Sequence, residues 1–257
     1  MKLERRYVEK PWGRAELPPV FDPPQGKRVG EVWFSGAGEQ PLLAKYLFTS
    51  ERLSIQVHPD DDEARARGFA AGKSECWTII DAEPEATLGL GLKARVSSDE
   101  LREAALDGSI EELMDWRPVR AGDFFLVPPG TVHAIGAGIS LIEFQQNSDI
   151  TYRLYDYGRP RELHLEDGIA VARPEPYPET QPKHLLATEN RILVDGPKFV
   201  LIHSHCDVLE DRRRWIIPLE GTVRENGVRA GPGDCLMIEA GERIETEAAR
   251  MLVGASV

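Results

Sequence analysis

The sequence predicts a mainly β protein: an antiparallel barrel or sandwich of the jelly-roll kind, with a small helical insertion and a second, degenerate β unit at its C-terminal end. Three observations carry this. Short runs rich in Val, Ile, Leu, Phe and Tyr recur along the chain, several alternating apolar with polar residues as on strands with one buried face. The 23 glycines and 19 prolines cluster between these runs and supply turns. Helix signals are few, which favours an antiparallel arrangement over a parallel α/β one. A length of 257 residues accommodates one large β domain or two small ones.

Residues 1–30 read as an irregular lead-in broken by Pro18, Pro19, Pro23, Pro24 and Gly26. Strands are expected at 29–34, 42–48 and 53–58. A helix opens at Asp60, where the acidic run Asp60 to Glu63 suits the positive end of the helix dipole, and it ends at Gly68 or Gly72. Strands follow at 77–80 and 87–92. Ser97 with Glu100 fits a capping box, and Ser109 with Glu112 repeats the device, so two short helices are expected within 97–116 as an insertion between strands. After a turn at 120–123, strands are expected at 124–127, 131–135, 140–146 and 150–155. Residues 173–183 hold Pro174, Pro176, Pro178 and Pro182 and read as a linker. Residues 1–175 thus form one domain and 184–257 a second, again β. Placing Gly122-Asp123 on Gly233-Asp234 sets Gly130 on Gly241 and His133 on Ile244. The second unit would then be a degenerate copy that keeps the turn glycines and loses the histidine.

The stretch from Leu53 to Asp60 organises the first unit. Leu53, Ile55 and Val57 share one face, and Ser54, Gln56 and His58 the other, because side chains alternate along a strand. Gln56 and His58 both end in donor atoms. Glu75 in Gly72-Lys73-Ser74-Glu75 and His133 in Pro129-Gly130-Thr131-Val132-His133 complete an N/O ligand set that Zn²⁺, Fe²⁺ or Mn²⁺ accepts. Glu143 alternates with Gln145 and Asn147 on one face and is a candidate to line the same pocket. His203 and His205 repeat the His-x-His spacing, but no acidic partner strand or Pro-Gly-x-x-His phrase accompanies them, so they are read as structural.

The formal net charge of −12 opposes nucleic acid and anionic membranes as partners. A phosphorylated substrate would need basic residues converging locally against that field. The N-terminal stretch has no apolar core of a secretory signal, and no apolar run is long enough to span a bilayer. Three widely spaced cysteines, Cys76, Cys206 and Cys235, argue against a disulfide framework and for a reducing, cytoplasmic location. Nothing in the sequence sets the oligomeric state.

Four phrases in order, LSIQVHPDD, GKSE, VPPGTVHAI and IEFQQNSDITYRLYDYGR, together with KPWG, GEVW and PLLAKYL earlier in the chain, resemble the type I mannose-6-phosphate isomerases, in their short bacterial branch. The resemblance covers roughly residues 10–170 and fades afterwards. It implies a cupin barrel pair holding one Zn²⁺ per chain through Gln56, His58, Glu75 and His133, the set the residues themselves suggest. It also implies pocket roles for Lys73, for Asp149 and Arg153 in the Asn-Ser-Asp-x-x-x-Arg phrase, and for Ser54 towards phosphate. Arg159 stands where longer members carry a lysine, and a guanidinium there can grip phosphate in two-pronged fashion. The sequence departs from longer members in its shrunken helical insertion, in Ile150 after Ser148-Asp149, and in a short, divergent C-terminal segment.

The function implied is interconversion of mannose 6-phosphate and fructose 6-phosphate by proton transfer through a cis-enediol. Arg153 would act as fixed positive charge, and Asp149, Lys73, Glu143 or a metal-bound water as the base. An isomerase or epimerase of another sugar, and a non-catalytic sugar-binding cupin, would share the metal site. A binding module, however, need not keep Arg153.

Overall fold

Every strand of the computed structural model pairs antiparallel with its neighbours. Residues 37, 39, 179–182, 186 and 187 lie outside the described residues. In chain order the elements are β1 (Glu4–Arg14), β2 (Val29–Ser35), β3 (Leu42–Phe48), β4 (Ile55–Val57), α1 (Asp61–Arg65), β5 (Glu75–Ala82), β6 (Thr87–Leu92), α2 (Ser98–Asp107), α3 (Ile110–Leu113), β7 (Met114–Pro118), β8 (Asp123–Val127), β9 (His133–Ile135), β10 (Ile139–Gln146) and β11 (Tyr152–Tyr155). Then come α4 (Leu165–Val171), β12 (Lys183–His184), β13 (Arg191–Asp195), β14 (Phe199–Ser204), β15 (Arg214–Glu225), β16 (Val228–Ala230), β17 (Leu236–Ile238) and β18 (Glu245–Ser256). Among the described residues no helix is long and apolar enough to cross a membrane.

The strands form three sheets. A seven-stranded sheet runs β1-β2-β3-β10-β5-β8-β12, a five-stranded sheet β11-β4-β9-β6-β7, and a six-stranded sheet β13-β14-β18-β15-β16, with β17 also paired to β15. Period-two alternation explains how they stack. In β3, Ala44, Tyr46 and Phe48 join Phe144, Trp215, Leu201 and Leu252 in a core between the seven- and six-stranded sheets. Leu47 faces the other way, with Trp77, Ile79, Phe125, Leu88 and Leu90, into the core between the seven- and five-stranded sheets. Ile55, Val57 and Ala134 on the five-stranded sheet pack against Ala64, Leu101, Ala105, Ile110, Ile169 and Val171 of the four helices. The C-terminal sheet has a further core of its own, built from Ile216, Val223, Leu236, Met251 and Val253.

Several local expectations change. The lead-in is not irregular throughout, because residues 4–14 form an edge strand along β2, with register shifts between Val8 and Glu9 and between Glu9 and Arg14. Its charged, half-exposed residues hid it, and edge strands tolerate such residues. Ser97 caps α2 as expected, with its side chain on the Glu100 N–H and Glu100 reaching back. Ser109 makes no side-chain cap bond to α3 and lies in helical conformation itself, φ −66° and ψ −8°. The insertion stops at Leu113, because Met114–Pro118 returns as a strand beside β6. Helix α4 went unforeseen. The described part of the expected linker is held against the first unit, where Leu92 N–H donates to Glu175 O and Val96 N–H to Pro174 O, both at 3.0 Å. Residues 179–182 of it lie outside the described residues.

The faint repeat has a matching backbone geometry. Gly122 (φ +91°) and Gly233 (φ +88°) take the left-handed conformation that glycine adopts without strain. The next residue closes each turn alike: Asp123 Oδ2 accepts the Arg120 N–H and Asp234 Oδ2 the Gly231 N–H, both at 3.0 Å.

Candidate metal centre

Two rows of side chains, one from each sheet of the first unit, face each other across the barrel interior. Cross-strand register aligns Trp33, Lys45, Glu143, Trp77 and Phe125 on the seven-stranded sheet. It aligns Arg153, Gln56 and His133 on the five-stranded sheet. The two rows meet where the Trp77 and His133 rings lie edge to face, 5.5 Å between centroids. His58 follows the end of β4, and Glu75 opens β5 after the Gly72-Lys73-Ser74 segment.

Among the described residues, His58, Glu75 and His133 form the single group of three that could hold a metal ion, with ligand atoms within 4.8 Å of one another. Nε2 of His58 and Nε2 of His133 lie 3.5 and 3.3 Å from the same oxygen, Glu75 Oε1. All three residues are buried. The second ring nitrogens are anchored on carbonyls: His58 Nδ1 on Ile150 O at 2.9 Å and His133 Nδ1 on Thr131 O at 2.8 Å. A carbonyl can only accept, so each Nδ1 carries the proton and each Nε2 presents a lone pair inward. This is the outer support expected of ligating histidines. Gln56 adds an amide whose Nε2 lies 3.3 Å from His133 Nε2 and whose Oε1 accepts from Ser54 Oγ at 3.2 Å. The carboxylate gives the strongest sign of fit. Lys73 Nζ pairs with Glu75 Oε2 at 2.7 Å and also lies 3.1 Å from His58 Nε2, whereas Glu75 Oε1 is buried without a hydrogen-bond partner and faces the two imidazole lone pairs. Lone pairs turned on one another in a buried site are costly unless a cation engages them.

The electrostatics favour ligation at neutral pH. Burial, then Lys73, push the His58 imidazole down to about 3, so it is neutral and can coordinate. Burial also lowers His133. Burial would raise Glu75, but the Lys73 ammonium 2.7 Å away outweighs it and holds the carboxyl well below its ordinary range. Glu143 is pushed up, chiefly by burial, although Lys45 pulls the other way from 2.9 Å. The Trp77 indole donates to Glu143 Oε2 at 3.1 Å.

A cavity of about 220 Å³ opens beside the cluster. Ser54, Gln56, Lys73, Glu75, Glu143, Asp149 and Arg153 all line it, so most of the residues singled out in the sequence come together there. Arg153 donates from Nη1 to Glu162 O at 2.6 Å, and its Nε is buried without a partner. Arg159 does not line this cavity: its guanidinium turns to Asp156 Oδ1 at 2.9 Å and to Arg52 O at 2.7 Å. Arg161 lines it instead, braced by two bonds to buried Asp156 at 2.5 and 2.7 Å. Sequence reasoning also passed over Lys10, Trp12, Glu31, Lys45 and Thr151. A signal existed for two of them: Glu31 and Lys45 are lone charges inside apolar strands, and both are buried. His203 and His205 sit apart in the C-terminal sheet, where His203 Nδ1 meets Glu189 O at 2.7 Å and His205 Nδ1 meets Ala249 O at 3.2 Å.

No protein-family model matches the chain. A mannose-6-phosphate isomerase of Streptococcus mutans is 42% identical over 169 residues, covering 63% of this chain and 53% of that protein. Mannose-6-phosphate isomerase ManA of Bacillus subtilis is 46% identical over 151 residues, covering 56% of this chain and 48% of its own length. The chain thus spans about half the length of the curated relatives it matches. Among solved structures, the mannose 6-phosphate isomerase of Bacillus subtilis superposes with a TM-score of 0.83 at 27% identity, covering 100% of this chain and 99% of that one. A phosphomannose isomerase of Salmonella typhimurium, at 14% identity, shares the fold with a TM-score of 0.75 over 99% of this chain and 98% of that chain.

Proposed function

We propose that this chain is a metal-dependent aldose–ketose isomerase that interconverts mannose 6-phosphate and fructose 6-phosphate. The observation that carries the reading is the convergence of His58, Glu75 and His133 with Lys73, Glu143, Asp149 and Arg153 around one small polar cavity. The likeness to named mannose-6-phosphate isomerases supports the substrate. Gln56, His58, Glu75 and His133 would hold one ion. Neutral imidazoles with a carboxylate and an amide oxygen suit Zn²⁺. When bound, such an ion supplies Lewis-acid polarisation of a sugar oxygen.

The remaining chemistry belongs to the side chains. Moving a carbonyl by one carbon requires removing a weakly acidic proton from C2 of the aldose and delivering one to C1, while a proton passes from O2 to O1. The oxygen charge that develops needs preorganised positive charge, and Arg153, ionised at every relevant pH, faces the cavity to supply it. Glu143 is clamped by Lys45 and the Trp77 indole. We assign the proton transfer to Asp149, which lines the cavity outside that clamp. Lys73 orients the sugar. Ser54 and Arg161 bind the phosphate, and Arg159 supports them by holding Asp156. Arg161 brings local positive charge against the acidic field of the whole chain. We also assign 184–257 as a degenerate cupin-like unit, a reading supported by the matched turns at Asp123 and Asp234. The free thiols of Cys76, Cys206 and Cys235 support a cytoplasmic location.

The test is turnover of mannose 6-phosphate by zinc-loaded protein in deuterated water. Expected are fructose 6-phosphate carrying some solvent deuterium at C1, and a strong fall in kcat for Arg153→Ala with metal content intact. No turnover by metal-replete protein would refute the isomerase. Complete retention of the substrate hydrogen under all conditions would favour a hydride shift over proton transfer.

A further inference from the structure

The segment that carries Lys73 and Glu75 to the metal centre, Gly72 to Ser74, lies outside any strand or helix, so something else must hold it. The Lys73 N–H donates to Pro59 O at 3.0 Å, and the segment's other polar anchors lead away from the cavity. The Gly72 N–H donates to Asp61 Oδ1 at 2.8 Å, and the Ser74 N–H donates to Gln146 Oε1 at 3.0 Å. Gln146 Nε2 donates to the same Asp61 oxygen at 2.9 Å, and the Gln146 N–H to Ser74 O at 3.0 Å. Asp61 therefore ties the start of α1, three residues after His58, to the segment three residues before Glu75. The fit is tight, since a Cβ on Gly72 would come within 2.4 Å of the Asp60 carbonyl carbon.

The far end of the chain of bonds lies in the C-terminal sheet. Lys198, in the turn between β13 and β14, pairs with Asp61 Oδ2. That pair spans a cleft of about 500 Å³ between the two units, with Leu126 on one wall and Phe199 on the other. Asp61 is mostly buried, at 17% side-chain exposure, and carries a full negative charge one residue from Asp60 and Asp62. Without Lys198 it would be drawn towards water and towards Arg65, which already lies 4.0 Å away. It would then release Gly72 and Gln146 together.

We infer that Lys198, Asp61 and Gln146 act as positioning residues that fix the Gly72–Glu75 segment, so that the C-terminal sheet governs how firmly the metal centre keeps its ion. This rests on the metal reading proposed above and adds a role for the second unit, which itself supplies no ligand to that centre. Groups that orient metal ligands from outside commonly change metal affinity by about 10–100-fold when removed, and Lys198 acts two steps out, so the low end is expected.

The test measures the rate at which zinc-loaded protein yields its ion to a chromogenic chelator, alongside the melting temperature of the metal-free protein. Lys198→Met should release zinc about tenfold faster than wild type, with a small change in melting temperature. Lys198→Arg keeps the charge and should restore release to within about twofold of wild type. Val223→Ala, buried in the separate C-terminal core, is the stability control. It should lower the melting temperature and leave release unchanged. Unchanged release in Lys198→Met overturns the proposal while the metal reading stands. So does acceleration by Val223→Ala as large as that by Lys198→Met, because general loosening would then explain both. A wild-type chain that takes up no zinc overturns the metal reading and this inference with it.

Discussion

Replacing Lys45 by Met should destabilise the fold by about 3–5 kcal/mol at neutral pH, the usual effect of removing one partner from a buried ion pair. Lys45 is 4% exposed and its Nζ lies 2.9 Å from Glu143 Oε1. Around it are three buried carboxylates, Glu31, Glu75 and Glu143, and the ammoniums Lys10 and Lys73. Met matches Lys in length, so packing changes little and the effect is mostly electrostatic. Glu143 would keep only Lys73, at 3.7 Å, as a cationic neighbour, together with the Trp77 indole. The loss depends on pH with a definite sign. The Glu143 carboxyl already sits above its ordinary 4.5, chiefly through burial. Without Lys45 it rises further. A carboxyl with a raised folded value favours the fold while protonated and loses that advantage as pH climbs past the unfolded value through the folded one. Glu31, which burial raises but Lys45 and Lys10 hold below 4.5, adds an effect of the same sign at lower pH, because the stability it draws from Lys45 in the wild type is complete above 4.5 and is lost as pH falls through its depressed folded value. The deficit of Lys45→Met should therefore shrink between about pH 8 and about pH 5. Urea unfolding of both proteins at the two pH values measures it. The double variant Lys45→Met, Glu143→Gln should recover part of the loss, since Gln keeps an acceptor for the indole. A neutral-pH deficit under about 1 kcal/mol, or one that grows on acidification, would refute this reasoning.

Other expectations are local. Ser97→Ala should cost about 1 kcal/mol, as loss of a side-chain cap does, whereas Ser109→Ala should change stability by only a few tenths, because Ser109 caps nothing; thermal melts separate the two. Asp61 is raised by burial but lowered more by its bonds to Lys198, Gln146 and Gly72, so its carboxyl falls from an ordinary 3.8 to about 2. Its contribution to stability is complete above 3.8 and disappears as pH falls through about 2, so the difference between wild type and Asp61→Asn in chemical melts should shrink across that window. Gly122→Ala and Gly233→Ala should each destabilise by about 1 kcal/mol or more, since both turns need positive φ; loss at one and not the other would undo the equivalence of the two turns.

Much of this molecule is legible in the sequence, for reasons that are local. Leu42–Phe48 and Ile139–Gln146 are short runs of mostly apolar and aromatic residues bounded by turns, the local mark of a buried strand, so those strands read correctly. Ser97 and Glu100 satisfy each other within one helical turn, and Gly122-Asp123 closes its own loop. The phrases that hold Gln56, His58, Glu75 and His133 could be picked out because each pairs a ligand type with a turn or strand signal. What lies between elements had to come from the tertiary structure. Ser109 fits the same four-residue pattern as Ser97, but its backbone is already helical and cannot cap. Residues 4–14 carry too many charges to announce a strand, and only the edge of β2 makes them one. Arg159 and Arg161 are equivalent as text and both pair with Asp156, but Arg159 also bonds the Arg52 carbonyl outside the cavity while Arg161 lines it. Lys45 and Glu143 are separated by more than half the length of the first unit and become a pair through the register of β3 against β10. Lys198 reaches Asp61 across a seam between two sheets. Such contacts join residues distant along the chain, and no local propensity encodes them; they follow from which face of each strand is buried and which strand lies beside it.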